Sequence, residues 1–311
     1  MPEKIPSSFV LNPDVAQALA LNLPLVALES AVITHGLPQP QNLRLARDME
    51  KEVRSQSAVP ATIAILDGKI HIGLNDAQLE RLASGKTPVR KISRRDFGIA
   101  IARREDGGTT VAGTLIAAHR VGIRVMATGG IGGVHRNAPF DVSSDLPALG
   151  ATPIVVVCSG AKAILDLPAT FETLETMGVP VVGYQTDELP AFYSRSSGLP
   201  VTVSASSPGE IAAIARAQWE IGISSAILVV NPPPEEVALP YEEAERVILE
   251  ALLDAEQKQM HGAAVTPFLL QRVSELSGGL SLRANLALLI SNARLAARIA
   301  VEISRKTRTI L

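Results

Sequence analysis

The stretch Pro153-Ile-Val-Val-Val-Cys-Ser-Gly-Ala-Lys162 is an apolar run that ends in small residues, as a buried β-strand followed by a tight turn would. Its apolar centre is Ile154–Val157, and four further short runs of this kind occur at Leu25–Leu28, Ile123–Ala127, Val181–Tyr184 and Ile227–Val230. Each run lies next to a helical pattern, an alternation typical of a parallel sheet with helices on both faces. We therefore predict an α/β fold, a three-layer α/β/α arrangement around a mostly parallel central sheet.

The segment Ala61–Leu74 breaks this alternation. It predicts two strands joined by Asp67-Gly68, because the central positions of such a two-residue turn need positive φ. A third strand is predicted nearby at Phe97–Ala102. The chain is therefore expected to form a single domain, 1–311, with a hairpin subregion near 60–104.

Five segments have helical patterns of apolar and polar residues. A Thr-Thr pair after Gly107-Gly108 is a candidate N-cap for the second of them. The predicted helices are Gln41–Ser55, Thr109–Arg120, Pro208–Ile221, Pro240–Met260 and Leu282–Arg305.

Composition excludes several classes of protein. The formal net charge is -2 and no basic stripe is present, so a polymeric nucleic acid is not expected as a partner. A single cysteine, Cys158, cannot form an internal disulfide and suits a reducing compartment. No apolar run approaches the roughly 20 residues of a membrane helix, and Met1–Asp14 lacks the pattern of a signal peptide. We expect a cytoplasmic protein that does not bind membranes.

Two residues could provide covalent and acid–base chemistry. Glu29 follows a predicted strand, where α/β folds collect catalytic groups, and a carboxyl flanked by buried residues has the raised pKa of a general acid. Lys162 is predicted in the first helical turn after a strand, where a cation is disfavoured and a neutral, nucleophilic amine is favoured. Alternatively, Glu29 caps a turn or pairs with an arginine, and Lys162 begins a surface helix. Cys158 is a rival nucleophile, but a cysteine that closes a buried strand is more often inert packing.

Two segments could bind phosphate. Ala127-Thr-Gly-Gly-Ile-Gly-Gly-Val-His135 places four glycines in five residues after a strand, and bare backbone amides can surround an anion. His135 and Arg136 add cationic donors at its end. Lys91 lies in the cationic patch Val89-Arg-Lys-Ile-Ser-Arg-Arg95, which a phosphate monoester would also suit. A flexible glycine loop and a solvated basic loop are the alternatives.

Asp141-Val-Ser-Ser-Asp145 offers two carboxylates and two hydroxyls, hard oxygen ligands that suit Mg²⁺ or Mn²⁺. The alternative is a helix N-cap formed by Asp141, Ser143 or Ser144. Asn285 and Asn292 are seven residues apart on the last predicted helix and therefore share a face. They either join helices or reach into a site.

Taken in order, these segments resemble the pseudouridine-5'-phosphate glycosidases, also called the indigoidine synthase A-like family, over nearly the whole chain. The segments that carry the resemblance are Ala27-Leu-Glu-Ser-Ala-Val-Ile-Thr-His-Gly-Leu-Pro-Gln-Pro-Gln-Asn42, Pro60-Ala-Thr-Ile-Ala-Ile-Leu-Asp-Gly-Lys-Ile-His-Ile-Gly-Leu74, Lys91-Ile-Ser-Arg-Arg-Asp96, Gly108-Thr-Thr-Val-Ala-Gly-Thr114, Ala127-Thr-Gly-Gly-Ile-Gly-Gly-Val-His-Arg136, Asp141-Val-Ser-Ser-Asp-Leu146, Cys158-Ser-Gly-Ala-Lys-Ala-Ile-Leu-Asp166 and Ser281-Leu-Arg-Ala-Asn285. The family usually has Gly at position 137 and a longer segment before Asp141, whereas this chain has Asn137.

The resemblance implies an α/β/α fold, a homotrimer and a bound divalent metal, expected to be Mn²⁺. It implies that Glu29 is the proton donor, Lys162 the nucleophile and Asp141 the metal ligand. The residues that it places along the substrate site are Lys91, Val111, Thr128, His135, Ser143, Ser144, Asp145 and Asn285.

The activity implied by the resemblance is reversible cleavage of the C–C glycosidic bond of pseudouridine 5'-phosphate to uracil and ribose 5-phosphate, through a lysine Schiff-base adduct. Two alternatives stay open. A Schiff-base aldolase acting on a sugar phosphate would share the lysine without needing a pyrimidine pocket or a metal. A non-catalytic binder of a sugar phosphate would tolerate arginine in place of Lys162.

Overall fold

A large, mostly parallel sheet forms the centre of the computed structural model, which describes residues 5–136, 138–260 and 265–305. The strands are β1 Phe9–Leu11, β2 Leu25–Leu28, β3 Val59–Leu66, β4 Lys69–Ile72, β5 Val89–Ile92, β6 Asp106–Thr109, β7 Val125–Ala127, β8 Val134–His135, β9 Ala138–Val142, β10 Val155–Cys158, β11 Leu165–Asp166, β12 Val181–Tyr184, β13 Val203–Ala205 and β14 Ile227–Val230. From β3 onward the neighbours run parallel in the order β3-β2-β7-β10-β14-β12-β13. The predicted α/β class is therefore confirmed.

Helices cover this sheet, so the central strands β2, β7, β10 and β14 are buried along their whole length. The helices are α1 Pro13–Ala20, α2 Gln41–Ser55, α3 Asp76–Ala83, α4 Phe97–Arg103, α5 Val111–Arg120, α6 Asp145–Leu149, α7 Leu167–Thr176, α8 Pro208–Glu220, α9 Tyr241–Gln257, α10 Val265–Leu276 and α11 Leu280–Ser304. Helix α11 packs against β2, β7 and β10 and contacts α2 and α8, whereas α5 packs against β2, β3 and α6. Among the described residues, no helix is both long and apolar enough to cross a membrane.

The predicted hairpin is present and extends one strand of the central sheet. The first half of β3 pairs with β2, and its second half pairs antiparallel with β4. Asp67 and Gly68 form the turn with φ of 50° and 74°, as the sequence predicts. Strands β1 and β6 add to β4 and β3, and β5 pairs with β6 at the edge.

The third strand predicted beside this hairpin is wrong, because Phe97–Arg103 is helix α4. The run is apolar at nearly every position, and periodicity cannot separate a short buried strand from a short helix in such a run. The packing decides for a helix that buries only Ala100 fully and leaves Ile99 43% exposed. Helix α4 ends at Arg103, and its C-cap residue Arg104 adopts the left-handed conformation with φ of 55°.

The five helices that the sequence predicts are all present, whereas α1, α3 and α10 were not predicted. Helix α2 has the predicted bounds, and α5 starts just after Thr110, whose hydroxyl accepts from the Gly113 amide at 3.3 Å. Helix α9 ends at Gln257, three residues before the predicted end. The sequence analysis missed short strands such as β5, β6 and β8, which lie outside the parallel core.

Candidate active site

The carboxyl ends of four adjacent parallel strands place polar residues side by side. Glu29, Thr128, Ser159 and Asn231 follow β2, β7, β10 and β14 directly. The strand registers pair Leu28 with Ala127, Ala127 with Val157 and Cys158 with Val230, so these polar residues form a row along one edge of the sheet. The Thr128 hydroxyl donates a hydrogen bond to Glu29 Oε1. This edge is where α/β folds usually bind ligands.

Glu29 is the electrostatic centre of this edge. Burial raises the pKa of its carboxyl above the ordinary 4.5, against the opposing effects of Lys162, Thr128 and Lys91, while the charge of Asp145 adds to the rise. Part of the side chain remains accessible, as it must for a group that meets a substrate. The structure therefore brings Glu29, Lys91, Asp145 and Lys162 into one electrostatic cluster.

Lys91 enters this cluster from the edge strand β5. Burial lowers the pKa of its amine, and the charge of Lys162 lowers it further, whereas Glu29 and Asp145 raise it. Its neighbour Arg90 instead pairs with Glu105, with Nε and Oε2 2.5 Å apart. Lys91 is therefore partly buried among charged residues of the site and does not lie in a solvated basic loop, which the charge run alone would favour.

Asp145 joins three segments through its buried carboxylate. Oδ1 accepts from the Ala112 amide at 2.9 Å, and Oδ2 accepts from the Gly132 amide at 2.8 Å. These bonds connect the glycine loop with the start of α5, where Val111 is buried. Asp145 is the first residue of α6. Ser144 occupies the N-cap position without a side-chain hydrogen bond, whereas Ser143, another of the candidate caps, accepts from the first amide of the helix.

The two serines before Asp145 each make a side-chain hydrogen bond. Ser143 Oγ accepts from the Asp145 amide at 3.2 Å, and Ser144 Oγ lies 2.6 Å from Ser93 Oγ, close to the strand of Lys91.

The glycine loop is closely packed, and two of its amides already have protein acceptors, which leaves fewer donors for an anion than the sequence predicts. A Cβ atom on Gly132 would lie 2.1 Å from Ser143 Oγ, and one on Gly130 would lie 2.7 Å from the Phe192 ring. The amide of Ile131 donates to the Gly160 carbonyl at 3.1 Å, and that of Gly132 donates to Asp145. These two amides are therefore occupied by protein acceptors, and the glycines serve close packing.

Lys162 does not begin a helix, contrary to the prediction. Its amide donates to the Ile131 carbonyl at 3.0 Å, and its carbonyl accepts from the Leu165 amide at 3.0 Å, which closes a turn before β11. The next helix, α7, starts only at Leu167 and is capped by Asp166. The helix dipole therefore does not act on this amine, whose charged neighbours are Glu29 and Lys91.

Asn292 is a residue that the sequence analysis left unassigned and that the structure places at the centre of a buried network. It is fully buried, and its Nδ2 donates to the Thr128 carbonyl at 2.9 Å and to Ser159 Oγ at 3.2 Å. Asn231 Nδ2 donates to Asn292 Oδ1 at 3.0 Å. Asn231 directly follows a predicted strand, so attention to strand ends could have found it. Asn285 lies on the same face of α11 and is buried, and its side chain makes no hydrogen bond to a described residue.

His35 is a second residue that the sequence analysis missed. It belongs to a single π-helical turn, Val32–Gly36, that follows Glu29, and its Nδ1 lies 2.6 Å from Thr34 Oγ1. Burial lowers the pKa of His35, and the charge of Lys91 adds to that effect. Such turns are frequent at functional sites. Because π-helices are rare, no sequence pattern predicts this turn.

The remaining predicted residues lie on the small antiparallel sheet β11-β8-β9. His135 ends β8 and is partly buried, while Asp141 is exposed on β9. Asn137 lies outside the described residues. Among the residues that the structure describes, no three His, Cys, Asp or Glu side chains form a group that could hold a metal ion. A divalent ion at Asp141 would therefore take most of its ligands from water or substrate, a mode that Mg²⁺-type ions accept.

A family model described as "Indigoidine synthase A like protein" matches residues 14–302. The chain belongs to this family. Its relatives include proteins named pseudouridine-5'-phosphate glycosidase: that of Paracoccus denitrificans is 54% identical over 95% of this chain and 98% of the relative. That of Geobacillus kaustophilus is 50% identical over 95% and 98%. The predicted family is confirmed.

Two solved structures share the fold. The prealnumycin C-glycosynthase AlnA, crystallised in complex with ribulose 5-phosphate, is 41% identical with a TM-score of 0.88, and the match covers 96% of this chain and 98% of AlnA. An indigoidine synthase A-like protein of Thermotoga maritima is 38% identical with a TM-score of 0.86, covering 91% and 94%.

Proposed function

We propose that this protein cleaves the C–C glycosidic bond of pseudouridine 5'-phosphate, giving uracil and ribose 5-phosphate. The observation that carries the proposal is the cluster of Glu29, Lys91, Asp145 and Lys162 at the carboxyl edge of the sheet. It is supported by relatives of that name at about half identity over nearly their full length. The neighbour crystallised with ribulose 5-phosphate supports a sugar phosphate as the class of ligand.

The chemistry assigns different tasks to the lysine and the carboxyl group. With the ribose ring open and the Lys162 nitrogen bonded to C1', the nitrogen lone pair forms a C=N bond as the C1'–C5 bond breaks. Glu29 protonates C5 of the uracil before this bond breaks, so the electron pair of the bond restores the C5=C6 double bond of the leaving uracil. Water then adds to C1' and releases ribose 5-phosphate and the free amine.

The surroundings of Glu29 suit proton transfer. Burial raises the pKa of its carboxyl, so the group holds a proton at higher pH than a free glutamate does. Thr128 donates to one carboxyl oxygen and fixes the orientation of the group. Lys91 supplies a second amine in the cluster, whose protonated form suits the phosphate or a developing negative charge.

Two further properties belong to the proposal. A divalent metal, Mn²⁺ by the family resemblance, would be held through the exposed Asp141 and would supply positive charge to the substrate oxygens. We also propose that the protein is a homotrimer and is cytoplasmic.

The direct test is release of free uracil from pseudouridine 5'-phosphate by the purified protein, measured by chromatography in buffer containing Mn²⁺. We expect stoichiometric uracil and ribose 5-phosphate with wild type and none with Lys162→Ala. A Schiff-base aldolase would form a lysine adduct with sugar phosphate but release no uracil. A non-catalytic binder would show neither the adduct nor the product.

A further inference from the structure

The turn that carries Lys162 is fixed by an arginine from another segment. Arg136 follows β8, and its Nε donates to the Leu165 carbonyl at 3.1 Å while its Nη2 donates to the Ala163 carbonyl at 3.1 Å. Both carbonyls belong to the turn closed by Lys162 and Leu165. Arg136 thus binds the backbone immediately after the lysine.

The same guanidinium is held from its other side by Glu245 on α9. Nη2 donates to Glu245 Oε2 at 3.0 Å, and Nη1 pairs with Oε1. The Arg136 and Glu245 side chains are only 19% and 28% exposed, so solvent screens the pair incompletely. This arrangement also corrects the expectation that Arg136 is a free phosphate donor, because its donors already bind a carboxylate and two carbonyls.

We propose that Arg136 and Glu245 are positioning residues, which together set the place of the Lys162 amine relative to Glu29. The proposal rests on the function proposed above. The turn lies between an isolated bridge at Ala161 and the two-residue strand β11, so regular structure contributes little to its order. The planar fork of arginine can bind two carbonyls and a carboxylate at once, which the ammonium of lysine cannot do in the same geometry.

Positioning of this kind should affect turnover more than substrate affinity. Attack on C1' needs the reacting atoms about 3–3.5 Å apart, and a displacement of about 1 Å can reduce the rate roughly 10²-fold. In this proposal, neither Arg136 nor Glu245 contacts the substrate. Their loss should therefore lower kcat while leaving KM nearly unchanged.

The experiment compares Arg136→Lys and Glu245→Gln with a matched control, Arg272→Lys. Arg272 is 31% exposed and pairs with Asp254, also on α9, with Nε and Oδ2 2.5 Å apart, but it binds no part of the Lys162 turn. We measure kcat and KM for uracil release, the melting temperature, and hydrogen exchange of the Lys162 and Leu165 amides. Glu245→Gln leaves Arg136 in place and serves if Arg136→Lys folds poorly.

We expect Arg136→Lys to lower kcat by about tenfold to 10²-fold, with KM within about threefold and faster exchange at the turn. Glu245→Gln should lower kcat by a smaller factor. A variant that carries both Arg136→Lys and Glu245→Gln should have a kcat no lower than that of Arg136→Lys alone. Arg272→Lys should retain wild-type kcat. A lower melting temperature with unchanged kcat would reduce the pair to a structural role and overturn the proposal, as would a rise confined to KM. If wild type released no uracil, the proposed function would fail, and unchanged amide exchange in the variants would then overturn the positioning role independently.

Discussion

Replacement of Asp145 tests whether its carboxylate holds the site together. The buried carboxylate accepts two backbone amides, those of Ala112 at 2.9 Å and Gly132 at 2.8 Å. Asp145→Ala leaves both amides without this acceptor, in a loop and a helix start that are themselves buried. The change should therefore loosen the glycine loop from α5 and lower the stability of the fold.

The expected loss follows from these two bonds. A hydrogen bond to a charged group contributes about 1.5–3 kcal/mol, so losing both lowers the free energy of unfolding by about 3–6 kcal/mol. Asp145→Asn keeps one carbonyl oxygen and should lose about half as much. Asp141→Ala is the control, because the Asp141 residue is exposed and its side chain makes no hydrogen bond to a described residue, and such surface changes stay within about 0.5 kcal/mol.

The assay is urea unfolding followed by circular dichroism, with the midpoint compared among the three variants and wild type in the presence of a chelator. The predicted order of midpoints is wild type and Asp141→Ala together, then Asp145→Asn, then Asp145→Ala. An Asp145→Ala midpoint equal to that of wild type, or an equal loss in both alanine variants, would refute the reasoning.

Three further predictions concern the acid, the metal and the cysteine. The pKa of Glu29 is about 4.5 in the unfolded chain and is raised in the folded protein. Wild type should therefore lose stability relative to Glu29→Gln as the pH rises from the unfolded to the folded pKa. Turnover of Glu29→Gln should fall roughly 10²-fold or more. Parallel melting curves against pH would contradict this. Chelation should abolish uracil release, and added Mn²⁺ should restore it. Full activity in chelator, with no metal found by elemental analysis, would contradict this prediction. Burial raises the pKa of Cys158 to about 12, so a thiol reagent should modify it only on unfolding, and rapid labelling of the native protein would count against this.

The parallel core was predictable because its strands are apolar runs buried on both faces. Val181–Tyr184 and Ile227–Val230 have the predicted bounds, and Glu29 lies at a strand end as expected. Phe97–Arg103 was not predictable in the same way, because a short run that is apolar throughout fits either a strand or a helix.

Long-range contacts explain the differences in the site. A turn after Cys158 was predictable, but pairing of β11 with β8 replaces the helix expected at Lys162. Pairing between distant segments has no local signature. The role of Arg136 likewise depends on Glu245, 109 residues away in the chain, and cationic character alone suggested a phosphate contact instead.

Covalent trapping tests the central claim, that Lys162 is the nucleophile, most directly. The protein is incubated with ribose 5-phosphate and sodium borohydride, then analysed by intact mass and by peptide sequencing, with Lys162→Ala and Lys91→Ala as matched variants. The account predicts one reduced sugar-phosphate adduct on Lys162 in wild type, its loss in Lys162→Ala, and its retention on Lys162 in Lys91→Ala. No adduct, or an adduct on Lys91, would contradict it.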